Sequence, residues 1–99
     1  MTPMSSMAVG TLSVRLMVRD ALTLKDKRRV IKSLKDLIRS RHNVSVAEVD
    51  ALDNRQQAVL GFAMVSNDRR YLNGALASIV DFIRGHPVAQ LVDYEVEIF

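Results

Sequence analysis

Residues 44–65 read VSVAEVDALDNRQQAVLGFAMV, and how this stretch is read decides the fold. Val44 to Ala51 is an extended segment, and Leu52-Asp53-Asn54-Arg55 after it has the side chains of a turn. Gln57 to Val65 is extended again and stays apolar from Ala58 onward. Two strands joined by a short turn form a hairpin, and helical periodicity flanks this one on both sides.

On the N-terminal side, Thr23 stands three residues before Asp26, the spacing of a capping box with Asp in place of Glu. At ~100° per residue, Val30, Ile31, Leu34, Leu37 and Ile38 of the following helix fall within one apolar arc. Arg39, Arg41 and His42 complement its C-terminus, and Asn43 is the expected left-handed stop. Before it, Val9 to Val18 alternates, with Leu12, Val14, Leu16 and Val18 on one face and Thr11, Ser13, Arg15 and Met17 on the other. On the C-terminal side, Ser66-Asn67-Asp68 reads as a helix start with Ser66 or Asn67 as cap. The helix it opens carries Leu72, Ala75, Leu76, Ile79, Val80 and Ile83 on one face and ends at Gly85-His86-Pro87. Val88 to Phe99 is the last strand.

The order is β-α-β-β-α-β. Two helices cover only one face of a four-stranded antiparallel sheet, which predicts a ferredoxin-like α+β sandwich with strand order 4-1-3-2. Residues 8–99 form a single domain, and residues 1–7 are expected to be a disordered tail with no targeting segment. Open-face charges are expected to pair across the first and last strands, Arg15 with Glu97 and Arg19 with Asp93. The third strand is apolar on both faces, with Leu60, Phe62 and Met64 on one and Val59, Ala63 and Val65 on the other. A strand covered on one face only should alternate, so the open sheet face is expected to meet a second copy of the chain. Leu60, Phe62, Met64 and Met17 are the residues assigned to that homodimer or higher oligomer.

Charge supplies the functional signal. Lys25 to Arg41 holds eight cations and two acids, a net +6 in a chain whose total is only +3. Lys25, Arg28, Lys32, Lys35 and Arg39 recur at helical spacing as one stripe about 20 Å long at ~1.5 Å per residue. Evenly spaced cations on that scale can follow a nucleic-acid backbone and release its counterions, with Arg29 and Arg41 as secondary contacts. The stripe has no interleaved aromatic residue, which favours backbone or shape contacts over base stacking.

Other classes find little support. There is no cysteine, hence no disulfide framework or thiolate metal site, and the expected compartment is the cytoplasm. No apolar run reaches the ~20 residues that cross a bilayer. His42 and His86 lie in separate turns without ligand-spaced companions, so no metal is expected. Gly61-Phe62-Ala63-Met64-Val65 approaches the strand-three signature of RNA-recognition motifs but lacks its basic residue and its second aromatic. No phosphate loop, nucleophile elbow or paired-carboxylate site is present, and neither an enzymatic activity, a cofactor nor a small-molecule ligand is expected.

Thr23-Leu24-Lys25-Asp26-Lys27-Arg28, Asn43-Val44-Ser45-Val46-Ala47-Glu48, Leu60-Gly61 and Val65-Ser66-Asn67-Asp68 occur in an order and spacing that resembles the small bacterial YlxP family. The resemblance spans nearly the whole chain from Val9. It implies a ferredoxin-like fold, and, because members are often encoded beside translation-initiation and ribosome-maturation factors, it implies association with RNA or a ribosomal subunit. This chain departs from the family at Arg55-Gln56, where members often have Trp-Gln. The reading that combines charge and resemblance is a non-enzymatic, ribosome- or RNA-associated factor that meets phosphates through its first helix. The alternative is an oligomeric protein-interaction module whose basic helix docks an acidic protein.

Overall fold

The computed structural model describes residues 6–99. Most of the expected N-terminal tail, residues 1–5, lies outside the described residues, and Ser6 and Met7 are exposed without regular structure. The elements are β1 (Ala8–Met17), α1 (Leu24–Arg41), β2 (Ser45–Asp50), β3 (Gln57–Ser66), α2 (Arg69–Arg84) and β4 (Gln90–Ile98). The strands form one sheet in the order β2-β3-β1-β4 with every neighbouring pair antiparallel. This is the ferredoxin-like sandwich read from the sequence.

Helix α1 begins where its capping chemistry places it. The Thr23 hydroxyl accepts from the Asp26 backbone N–H at 3.1 Å, and the Asp26 carboxylate accepts in return from the Thr23 N–H at 3.2 Å. A further hydrogen bond from the Leu22 backbone N–H is the main reason the Asp26 carboxyl titrates below its ordinary range. The other end differs from expectation. The backbone turns extended at His42 (φ −137°), so Asn43 is not a left-handed stop, and among the described residues the only non-glycine with positive φ is Ala51 (φ 59°). Helix α2 is capped by Asp68, not by Ser66 or Asn67. The Asp68 carboxylate accepts from the Arg70 and Tyr71 N–H groups, while Ser66 Oγ accepts from the Asp68 N–H.

The core lies between sheet and helices. Leu12, Val14 and Leu16 of β1 and Leu60, Phe62 and Met64 of β3 are buried with Ile31, Leu34 and Ile38 of α1 and Leu72, Leu76, Ile79 and Ile83 of α2. This corrects the interface assignment: Leu60 (0% exposed), Phe62 (2%) and Met64 (4%) are packed under the helices and present nothing to a partner. Antiparallel pairing puts them opposite Val14, Leu12 and Gly10, on the same side as the apolar face of β1. Only Met17 of that set lies on the open face, half-buried and opposite Gln57.

The expected charge pairs also shift. Arg15 stands opposite Asp93, with their side chains 3.8 Å apart, and Glu97 stands opposite Thr11. Arg19 instead donates from Nε to Gln90 Oε1 at 2.8 Å. β4 is slid by four residues relative to the expected register, because its end at Ile98 reaches Gly10.

At Gly10 the missing side chain leaves room for α2 and β4 to pack closely on β1. A Cβ there would lie 2.9 Å from Leu76 Cδ1 and 3.1 Å from Ile98 Cδ1. Gly10→Val therefore drives a branched side chain into two packed neighbours and should lower stability by about 1–3 kcal/mol. An unchanged melting temperature would show that α2 moves aside freely.

Candidate nucleic-acid interface

Helix α1 packs on the sheet through the row Lys27, Ile31, Leu34 and Ile38, all buried. The solvent side carries Lys25, Arg28, Arg29, Lys32, Arg39 and Arg41 exposed, with Lys35 half-buried at the margin. The stripe thus lies on the helix surface as expected, but its charges are not equivalent.

Asp36 bridges two cations of the stripe. Its two oxygens take Lys32 Nζ at 2.9 Å and Arg39 Nη1 at 3.4 Å. The hydrogen bond from Lys32 is the largest influence holding the Asp36 carboxyl below its usual range. Arg39 also donates from Nη2 to the Val46 carbonyl of β2 at 3.2 Å, fastening the helix to that strand. Arg41 lies with its guanidinium carbon 4.7 Å from the centre of the Phe82 ring, a cation–π contact that joins α1 to α2. Lys25, Arg28, Arg29 and Lys35 form no ion pair with another side chain among the described residues. Those four are the uncommitted cations of the helix.

Lys27 behaves differently from every other cation of the run. Its side chain is fully buried (0% exposed), and Nζ donates to Glu48 Oε2 at 2.8 Å. Three backbone carbonyls surround the same ammonium: Ala51 at 2.9 Å, Gln57 at 3.1 Å and Leu52 at 3.3 Å. Three N–H bonds facing four acceptors require one to be shared, and the long contact to Leu52 is the natural second branch. Lys27 thereby fastens the start of α1 to both strands of the β2–β3 hairpin, and it is unavailable to any ligand.

Charge is segregated between the layers. The two helices hold eleven of the fourteen Lys and Arg residues and only three of the eleven Asp and Glu residues. On α2 the exposed cations are Arg69, Arg70 and Arg84, none of them singled out from the sequence, where they are scattered and form no run. The open face of the sheet is the reverse, with Asp93, Glu95 and Glu97 along β4 and Arg15 as its only cation on β1. His42 is half-buried where α1 ends, and the His86 ring leans on Phe82 at 5.9 Å. Among the described residues no helix is long and apolar enough to cross a membrane.

Residues 9–96 match the family described as "Protein of unknown function (DUF503)". The chain belongs to the DUF503 family. It is 30% identical over 79 residues to the Bacillus subtilis (strain 168) uncharacterized protein YlxP, covering 80% of this chain and 86% of that protein. The family resemblance carried by the TLKDKR, NVSVAE and VSND segments is thereby established. Among solved structures, the de novo designed protein Foldit4 superposes with a TM-score of 0.55 at 17% identity, covering 94% of this chain and 96% of that one. That likeness concerns the fold alone. In this DUF503 member the first family segment contains Lys25, Lys27 and Arg28, one cation buried as a structural tether and two exposed beside it. The second segment supplies Glu48, the partner of Lys27, so two stretches of the family pattern meet at one buried ion pair.

Proposed function

We propose that this protein is a non-enzymatic RNA- or ribosome-associated factor that grips phosphates of structured RNA with its helical layer. The observation that carries this reading is the row Lys25, Arg28, Arg29 and Lys35, four cations that the fold leaves without an acidic partner on its most basic element. Repulsion between like charges along one helix is unfavourable unless an anion relieves it, and a phosphate backbone supplies anions at matching density. The Arg and Lys donors stand on a rigid helix and the surface of α1 offers no ring for base stacking, so the contacts suit a duplex or folded RNA read by backbone and shape.

Asp36 tunes this surface. It neutralises part of the charge of Lys32 and Arg39, which limits unspecific grip on any polyanion. The test is binding of a short RNA duplex across a salt series, wild type beside Asp36→Asn. With four phosphates engaged, the log–log slope of affinity against salt should be about −3.6, at ~0.9 per contact. Releasing Lys32 and Arg39 should steepen it toward about −5.4 and tighten binding at low salt. Absence of binding by the folded wild type at low salt would overturn the proposal, whereas equal slopes for the two proteins would remove Asp36 from it.

A further inference from the structure

We infer that Arg41, backed by Phe82, is a stacking platform for one unpaired base of a bound RNA. The inference rests on the phosphate reading of α1 and adds to it a contact with a base.

Two arginines of the helical layer lie over aromatic rings. Arg41 holds its guanidinium carbon 4.7 Å from the centre of the Phe82 ring, and Arg84 holds its own 5.8 Å from the centre of the Tyr94 ring. They differ in what else they meet. Arg84 is tied to Asp81 at 3.3 Å, so its charge is answered within α2. Arg41 is exposed and forms no ion pair among the described residues. The ring beneath it is half-buried and packed against the core. The His86 ring rests on Phe82 at 5.9 Å, tilted by 51°, which limits how far Phe82 can move. Phe82 is a fixed support, and the guanidinium over it remains open to solvent.

The fold gains little from this pair on its own. As an exposed contact, a cation over a ring contributes no more than the ordering of a long arginine side chain costs. A ligand that covers the guanidinium meets a surface already oriented. Guanidinium planes and aromatic rings are the surfaces on which unpaired bases stack in RNA recognition. A base on Arg41 completes a stack of ring, cation and base.

Position selects the same occupant. On α1, Arg39 reaches the Val46 carbonyl of β2 and Arg41 leans toward α2, so the outward surface of the helix lies between them. Lys25, Arg29 and Lys32 lie exposed on that surface. Arg41 stands beyond Lys35, about 9 Å further along the helix axis at ~1.5 Å per residue. A short unpaired strand that leaves a duplex held on α1 covers that distance. The surface of α1 has no ring of its own, and α2 lends it one. An acidic peptide is the competing occupant, but it needs only the charge of Arg41 and has no use for a flat surface.

Binding of two RNAs tests the inference, a short duplex with an adenosine overhang and the same duplex with an abasic overhang. Both carry the same number of phosphates, so the base alone separates them. Wild type should bind the adenosine RNA at least about fivefold more tightly, the low end of what a stacked base contributes. Arg41→Lys keeps the charge and removes the plane. It should bind the abasic RNA as wild type does and lose the preference. Phe82→Leu keeps an apolar side chain but removes the support beneath Arg41, and it should lower the preference likewise. Equal affinity of wild type for the two RNAs would overturn the inference and leave the phosphate reading standing. A preference that persists in Arg41→Lys would overturn it too, by placing the base elsewhere. Absence of binding to either RNA by the folded protein would instead defeat the phosphate reading, and this inference with it.

Discussion

Lys27→Met is expected to lower stability by about 3–5 kcal/mol, the effect of removing one partner from a buried ion pair. The loss has two parts. Glu48 is left without its ammonium partner in a site where only 14% of its side chain meets water, and the carbonyls of Ala51, Leu52 and Gln57 lose their shared donor. At about 4–8 °C per kcal/mol for a domain of this size, the melting temperature should fall by more than about 12 °C. Lys25→Met, two residues earlier on the exposed side of the same helix, should stay within about 0.5 kcal/mol of wild type. Lys27→Arg should not rescue, because a planar guanidinium does not match an ammonium cage that is closed on all sides. Adding Glu48→Gln to Lys27→Met should return part of the loss by replacing the carboxylate that has lost its partner with a neutral amide. Chemical denaturation of these four variants measures the tether directly, and a Lys27→Met midpoint close to wild type would show that the cage contributes little.

Arg28→Glu combined with Lys35→Glu is expected to have the largest effect on RNA binding. The pair removes two of the four uncommitted cations and replaces them with repulsive charges. The salt slope should fall from about −3.6 to about −1.8, and binding should weaken at every RNA sequence tested, because phosphate contacts carry no sequence information. Both side chains leave the core of α1 untouched, so the melting curve should be preserved. Arg55→Glu, on the β2–β3 loop, serves as the control for charge alone and should leave the slope unchanged. Retention of full affinity by the double variant would exclude this face of α1 from RNA recognition.

The element order was legible because each signal is local. The Thr23–Asp26 pair marks the start of α1, alternation marks β1, and the Leu72 to Ile83 row marks the buried face of α2. The strand order followed, since two consecutive β-α-β crossovers leave few arrangements. What was missed depends on which residues meet across the sheet. Strand β3 is apolar on both sides, so its pattern alone does not say which side the helices cover. Its partner resolves this: Leu12 and Val14 mark the core face of β1, and paired residues share a face, which sends Phe62 and Leu60 inward. The cap of α2 was misplaced because Ser66, Asn67 and Asp68 are all capping residues in succession, and only the reach of Asp68 to the Arg70 and Tyr71 N–H groups distinguishes them.

Lys27 was legible in part. It falls four residues before Ile31 and seven before Leu34, squarely on the buried row, yet in the sequence it reads as one more cation in a basic run. Periodicity could have set it apart from Lys25 and Arg28. The carbonyl cage could not have been found, because it is assembled from a hairpin loop that passes through left-handed backbone at Ala51. Asp36 lies at i+4 from Lys32 and i−3 from Arg39, but its hold on both depends on rotamers that the sequence does not encode.

Segregating charge between the helical layer and the sheet gives a single chain a large electric dipole. Near a phosphate backbone such a molecule experiences a torque before any contact, and it arrives helices first. The benefit falls on the association rate more than on residence time.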